Sequence, residues 1–464
     1  MIRKSIVDMF RASLHGQLIQ PGDADYDDAR RVWNGIIDKH PALIVRCADD
    51  EDVISAVNFA RTQGLLVAVR GGGHNVAGFG TCDEGIVIDL SLMKKIEIDT
   101  VERTARAQSG LMWGEFDKAT QVHNLATTGG LVSTTGIAGF TLGGGFGWLV
   151  RKYGLTVDNL LLVDMVMANG QRLTANPSEN ADLFWGVCGG GGNFGVVTSF
   201  RYRLHDVGPL VYGGAIFYPA ERAKEFLQFY REWTSTMPDE LSTLVAFLTA
   251  PPEPFVPKEL IGMPMIVLVL CYAGSADEGE LAIKPLRTFT HPEIDLIGPI
   301  PYLALQTIFD ATSPKGIHAY WKAEYLNNLS DDAINVLVEH SAKMKSLSPF
   351  AAVHIHHWGG AIERANKDAT AFAHRNARYV LNVVGLWMEH ENAGKHIAWV
   401  HDFSQAMQPF STGQTYLNFL GDEGSVRVKA AYDTKSYERL VALKNKYDPT
   451  NLFRLNQNIM PSGL

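Results

Sequence analysis

The chain has no excess of basic residues. Against 50 Asp and Glu stand 41 Lys and Arg, a formal net charge of -9, and no basic run gathers on any stretch. That balance offers no footprint for nucleic acid or for an anionic membrane surface, so the expected partners are small molecules. Long apolar runs are missing too. The strongest, Met263 to Tyr272, is of strand length, well short of the about 20 residues that span a bilayer. Residues Met1 to His15 set charges among their apolar positions and build no signal-peptide core, which makes the cytoplasm the default compartment. Cysteine is scarce: Cys47, Cys82, Cys188 and Cys271 are the four present, too scattered for metal ligation and read as reduced, mostly buried thiols. Cys188 adjoins a glycine cluster and is the one that sits near any ligand held there. Missing as well is a Gly-x-Gly-x-x-Gly opening a strand-helix unit, so a dinucleotide would have to be held by something other than a Rossmann fold.

What is present is 464 residues, 46% of them apolar, room for two or three domains with ample core. Residues 1–40 read as a helical lead-in and an extended segment, packed through Tyr26, Val32 and Trp33. Asp49-Asp50 caps a helix with Val53, Ala56, Val57 and Ala60 on one face, and Gly64 ends it. Short strands follow at Leu65 to Val69, Ile86 to Leu90, Ile96 to Ile98 and Thr104 to Ala107, then a helix over Trp113 to His123. Near Tyr202 to Pro209 the glycine-rich texture stops. Helices marked by Phe226, Phe229, Tyr230 and Trp233 and by Ile334, Leu337 and Val338 then alternate with strands at Leu244 to Leu248, Ile266 to Cys271, Val353 to His357 and Tyr379 to Trp387. The pattern predicts an α+β fold. Its parts are a first domain over 1–208 with a ligand between two small sheets, a second over 209–410 whose antiparallel sheet has helices on one face, and a segment over 411–464 that returns to the first.

The chain is organised around Leu65 to Gly80. An apolar run gives way, after Arg70, to Gly71, Gly72 and Gly73, with His74 and Asn75 next and Gly78 beyond. Glycines let the backbone take positive φ and come close to a ligand, and consecutive N–H groups in such a turn form an anion-binding concavity. Alone, such a turn is as readily structural as functional. Two further clusters lift it: Gly136, Gly139, Gly143, Gly145 and Gly147 in the run to Trp148, and Gly189 to Gly195, followed by Val196. The loop Thr127 to Gly136, rich in glycine and small hydroxyls, would suit a pyrophosphate. Tyr447 to Ile459, containing Asn456, closes the chain with a second asparagine-rich motif.

Together these residues resemble the berberine-bridge-enzyme-like branch of the vanillyl-alcohol-oxidase family of FAD-linked oxidoreductases, in its bacterial monocovalent form. The resemblance implies a PCMH-type FAD-binding domain of two small α/β subdomains beside a substrate domain. It implies that His74 carries FAD through a bond to the flavin 8α-methyl carbon, which would also make the flavin a stronger oxidant. It further implies flavin contacts from Arg70, Gly71, Gly72, Gly73, Asn75, Gly78, Val132, Thr135, Gly136, Gly139, Phe140, Gly143, Gly145, Gly147, Val196, Tyr416, Asn418 and Asn456. No metal is implied.

The departures from the family pattern carry as much as the matches. Relatives that tether the flavin twice have a cysteine in Gly-x-Cys-Pro-Thr-Val-Gly; here the loop is Gly130-Leu-Val-Ser-Thr-Thr-Gly136 and Val132 takes that place. A single covalent link is therefore expected, with a more open site. Phe140 replaces a histidine common in those relatives. Thr135 falls at the position lining the oxygen pocket, where its size, close to valine, favours access of O2; a threonine bonding loop backbone is an equal reading on residue type. Gly413 to Leu420 resembles the family's Tyr-x-Asn-Tyr strand, with Tyr416 and Asn418 in place but Phe419 where the basic tyrosine stands. The substitute base is sought in Val353 to Trp358, where His354 and His356 share one face of a strand. Histidine accepts a proton near neutral pH without a large shift. Tyr320, Lys322, Glu324 and Trp387 are further candidates on the same sheet.

The function expected is flavin-dependent oxidation of a small organic molecule with O2 as acceptor. Phe140, Phe146, Trp148 and Trp387 suggest an aromatic or polycyclic alcohol or amine. The alternatives are a dehydrogenase serving another acceptor, an oxygenase of secondary metabolism, and a flavin carrier without turnover.

Overall fold

The computed structural model describes residues 2–464. Its first layer is a four-stranded sheet in the order Gln17–Ile19, Leu43–Arg46, Ile86–Asp89, Val67–Arg70. The last three strands run parallel, joined through the helix Asp50–Gln63. That helix forms as its sequence dictates. The Asp49 side chain accepts from the Glu51 and Asp52 N–H groups, Gly64 ends the helix at φ 64°, and Val53, Ala56, Val57 and Ala60 are buried. The consequence is positional. The strand Val67–Arg70 delivers Gly71 to His74 at its carboxyl end, the side of a parallel sheet where α/β folds bind ligands.

A five-stranded antiparallel sheet follows, in the order Ile96–Asp99, Thr104–Gln108, Gly195–Arg203, Leu160–Met167, Arg172–Ala175. The third sheet is antiparallel and larger, in the order Ile294–Asp295, Leu210–Pro219, Pro264–Tyr272, Leu241–Thr249, Ala352–His357, Tyr379–Trp387, His318–Leu326, with Gly298–Pro301 added beside Leu210–Pro219. One face is covered by the helices Ala223–Thr234, Ala276–Phe289, Asp331–Ala342 and Ala393–Met407, packed through Phe226, Tyr230, Leu286, Leu337 and Phe403. The apolar side chains of these helices recur at helical spacing, so each has one stripe to bury. The middle of the sheet's other face is left to look onto the glycine clusters. The C-terminal helix Thr434–Tyr447 packs against Ala181–Val187 of the first part of the chain. Among the described residues no helix is long and apolar enough to cross a membrane.

One element differs from expectation. Tyr416 to Phe419 is not a strand but a tight turn, with a short 3-10 segment over Leu417–Phe419. Its polar groups are taken by local and glycine-loop partners instead of a ladder. The Gly145 N–H donates to the Tyr416 hydroxyl at 2.9 Å, and Asn418 Nδ2 donates to that hydroxyl at 2.9 Å and to the Phe140 carbonyl at 2.8 Å.

Candidate functional site

His74 sits where two glycine loops cross. A Cβ at Gly72 would run into the Gly136 backbone, and one at Gly136 into that of Gly72, so only glycine lets the loops approach this closely. Gly73 holds φ 72°. The His74 imidazole stacks on Trp33 at 5.2 Å between ring centres and 19° between planes. Its Nε2 lies 3.0 Å from the Thr134 hydroxyl and its Nδ1 3.5 Å from that of Thr135. Burial among these groups pushes the imidazole down to about 4, so at neutral pH it is an uncharged ring with a nucleophilic lone pair.

The loop that supplies Thr134 and Thr135 is tied to the second part of the chain. Asp310 accepts from the Ser133 N–H at 2.8 Å and from its hydroxyl at 2.6 Å. Gln306 Nε2 donates to Asp117 Oδ2 at 2.7 Å. Asp117 is itself fully enclosed and pushed up to about 7 by burial. Replacing Asp310 with alanine removes two charge-assisted bonds and is expected to destabilise the protein by about 2 kcal/mol. It should also speed amide hydrogen exchange at residues 130–136; unchanged exchange there would mean the loop is held from its own side.

A cavity of about 750 Å³ joins this corner to the third sheet, within the range of cofactor and substrate sites. Of the residues named from sequence, Arg70, Gly71, Gly72, Gly73, His74, Asn75, Val132, Thr135, Gly136, Gly139, Phe140, Gly143, His354, His356, Tyr416, Asn418 and Asn456 all line it. The walls suit a dinucleotide. A Cβ at Gly139 or Gly192 would meet nothing within 4 Å, so bare backbone faces the space. Arg70 pairs with Asp89 through Nη2 at 2.7 Å but leaves Nη1 unpartnered, and Asn456 Oδ1 is likewise without a partner. An unpaired guanidinium N–H beside a glycine cradle fits an anionic pyrophosphate.

Other named residues lie off the wall. Val196 packs into the core under the first sheet with Val166 and Ala168, because along Gly195–Arg203 it is Gly195 and Val197 that face the cavity. Gly78 abuts Ile37 and Gly147 abuts Gly129, while Gly145 acts through its bond to Tyr416. Trp148 stacks on Phe309 in a separate core, and Trp387 on His396 beneath a helix. Tyr320 turns to His401, Lys322 to Glu423 and Glu324 to Ser411 and Arg427, on the side away from the cavity. Cys188 is a free, buried thiol in the core.

His354 and His356 share the cavity-facing side of Ala352–His357, as the period of two predicts, with ring centres 5.9 Å apart. The expectation that they titrate near neutrality fails. Phe309 stands 6.0 Å from His354, while Phe146 and Phe419 stand 4.9 and 6.1 Å from His356. Burial in this aromatic wall lowers His354 to about 4 and His356 well below its ordinary 6.5, the latter also by the neighbouring His354. Tyr416 is shifted the other way, far above the ordinary phenol range by burial, and stays protonated.

Sequence reasoning missed Asn382. It is the register partner of His354 on the next strand, it lines the cavity, and its Oδ1 has no hydrogen-bond partner. A signal was there: Asn382 is the lone polar side chain after Tyr379 in the otherwise apolar run to Trp387. Buried histidines also set an acid limit. His205 and His354 are both lowered to about 4, by burial first. A histidine depressed in the folded state stabilises it fully above the unfolded value of 6.5, and that stability is lost as pH falls toward 4, roughly 2 kcal/mol per histidine by pH 5. Denaturant midpoints at pH 7 and pH 5 check this; equal midpoints would refute it.

Residues 41–176 match the family described as FAD binding domain, and residues 415–460 match the one described as Berberine and berberine like. An FAD-linked oxidoreductase of Dictyostelium discoideum is 32% identical over 98% of this chain and 97% of its own. The (R)-6-hydroxynicotine oxidase of Paenarthrobacter nicotinovorans is 28% identical over 97% of this chain and 98% of its own. Among solved structures, 6-hydroxy-D-nicotine oxidase of Arthrobacter nicotinovorans is 28% identical with a TM-score of 0.87, covering 96% of this chain and 98% of that one. The berberine-bridge-like protein 1 of Physcomitrella patens is 25% identical with the same TM-score of 0.87, covering 98% of this chain and 99% of that one.

Proposed function

This chain belongs to the berberine-bridge-like family of FAD-linked oxidoreductases, and from that premise we propose that it is an oxidase of a small aromatic or polycyclic alcohol or amine, with FAD carried on His74 and O2 as the acceptor. The domains are taken as 1–208 for FAD, 209–410 for substrate and 411–464 closing over the first. The observation that carries the reading is one cavity with His74 at one end and the His354–His356 pair on its sheet wall. The chemistry that FAD supplies when bound is hydride acceptance at N5 and reoxidation by O2 to hydrogen peroxide.

The residues divide the remaining work. His74, uncharged and held by Trp33 and Thr134, is the point of attachment through the 8α-methyl carbon. Val132 offers no thiol, so the link is single. Arg70 and the bare backbone at Gly139 and Gly192 hold the phosphates, and Asn456, whose Nδ2 donates to the Gly192 and Phe453 carbonyls, fixes that loop and offers Oδ1 to a donor of the cofactor. Thr135 borders the path of O2 with a side chain no larger than valine. Tyr416 and Asn418 hold the Gly143 to Gly145 turn against the site.

His354 takes the proton that leaves the substrate oxygen. Its low basicity is no obstacle. As hydride departs from an alcohol carbon, the remaining O–H becomes that of a protonated carbonyl, a strong acid, so a neutral imidazole titrating near 4 still accepts downhill. The substrate thus loses one hydride and one proton, and O2 leaves with two electrons and two protons as hydrogen peroxide.

The test is a panel of aromatic alcohols and amines scored for peroxide release and, without oxygen, for bleaching of the bound flavin. Bleaching with peroxide on readmission of air supports the oxidase. Bleaching that air does not reverse would move the reading to a dehydrogenase, and labelled oxygen in the product would move it to an oxygenase.

A further inference from the structure

The substrate end of the cavity has no charge to offer. Among the described residues lining it there is no Asp, Glu or Lys, and the one Arg, Arg70, lies at the far end, paired with Asp89. His354 and His356 are uncharged at neutral pH because burial lowers both. Around them stand Phe146, Phe309, Phe419 and Trp321. A carboxylate or ammonium brought here would lose its water and find no counter-ion, whereas an uncharged aromatic ring would lose little.

Three polar side chains interrupt this wall side by side: His354, His356 and Asn382. His354 and Asn382 are directly opposed across two antiparallel strands. Asn382 is 4% exposed and His356 6% exposed, and Asn382 Oδ1 and His356 Nε2 have no partner in the protein. Buried polar atoms without partners cost free energy unless a ligand or water satisfies them. The cavity-facing sheet positions nearest them are apolar, Leu244, Leu248, Ala352, Val384 and Leu386, with Thr249 at the end of its strand.

Resting on the reading of this cavity as a flavin and substrate site, we propose that the substrate enters uncharged and that Asn382 selects it, its amide N–H donating to the oxygen or nitrogen on the oxidised carbon while His354 faces the O–H or N–H of the same group. Asn382 is thus a specificity residue and His354 the proton acceptor beside it. An amine is taken only as its free base, and organic acids are refused.

The experiment measures binding to the flavin-loaded protein by calorimetry, which needs no turnover. The probes are β-naphthol, naphthalene, β-naphthoate and β-naphthylmethylammonium. β-Naphthol is expected to bind at least about tenfold tighter than the carboxylate or the ammonium ion. In Asn382→Leu it should weaken about tenfold while naphthalene holds or improves, since a site built to pair a hydroxyl discriminates through that pair. In Asn382→Asp the ammonium probe should gain about tenfold, which a merely structural asparagine would not produce. Flavin absorbance of each variant reports that the site is loaded and folded. Equal binding of naphthol and naphthoate, no binding of any probe to the loaded protein, or unchanged preferences in both variants would each overturn the proposal. Loss of flavin from the wild type would instead sink the oxidase reading itself.

Discussion

A His74→Ala protein is expected to release its flavin on acid precipitation, and the wild type is expected to keep its yellow colour in the pellet. The side chain is placed for attachment by three contacts: the Trp33 ring below it at 5.2 Å, the Thr134 hydroxyl at 3.0 Å from Nε2, and the Thr135 hydroxyl at 3.5 Å from Nδ1. Burial keeps both lone-pair chemistry and ring orientation intact by holding the imidazole neutral down to about 4. Alanine abolishes the bond but leaves the glycine cradle, Arg70 and Asn456, so FAD should still bind reversibly. Turnover is expected to fall roughly 10²-fold, because a cofactor no longer pinned at its ring loses alignment with the substrate, and because a tether that withdraws electrons also raises the oxidising power. Wild-type colour in the supernatant would end the covalent reading. Colour retained in the pellet of the variant would place the bond on another residue.

The parts of the fold that were legible in the sequence are those decided within a few residues. Asp49 and Gly64 bracket their helix because a cap and a left-handed stop act locally, and His354 and His356 share a face because strand geometry alternates. The two glycine loops carried enough specificity to name the corner of the cavity around His74, from Arg70 to Asn75 and from Val132 to Gly143. What was not legible depends on residues far apart. Ser133 and Asp310 are separated by 177 positions, and nothing in either neighbourhood announces the other. The dryness of the histidine wall arises from Phe146, Phe309 and Phe419, three segments that meet only in the folded chain. That is why the pair was expected to titrate near neutrality and does not. Tyr416 to Phe419 was read as a strand on pattern alone, whereas its polar groups are satisfied by Phe140 and Gly145. Val196 is among the flavin contacts that the resemblance implies, and the alternation of its own strand turns it to the core.

The second large effect is expected at His354. Phe419 has no titratable group and Tyr416 is held protonated with its hydroxyl occupied by Gly145 and Asn418, so neither takes the substrate proton. Of the two histidines, His354 is the better placed base: it is the less enclosed, it stands directly opposite Asn382, and burial together with the neighbouring His354 holds His356 well below its ordinary 6.5. His354→Leu keeps the apolar volume and removes the acceptor, and the rate of flavin reduction by substrate should fall roughly 10²- to 10⁴-fold, the usual span for losing a positioned base. Reoxidation by O2 should be unaffected, since Thr135 and the loop that carries it are untouched. The pH profile gives a second, independent reading. The working form is the neutral imidazole, so with an alcohol substrate the reduction rate of the wild type should stay level from pH 8 down to near 5 and drop only as pH approaches about 4, not 6.5. Stopped-flow reduction without oxygen measures both. A variant that reduces at the wild-type rate would mean that the proton leaves without a base, as it does from a free amine, and a limb near 6.5 would mean that bound FAD and substrate leave the wall wetter than its aromatic lining implies.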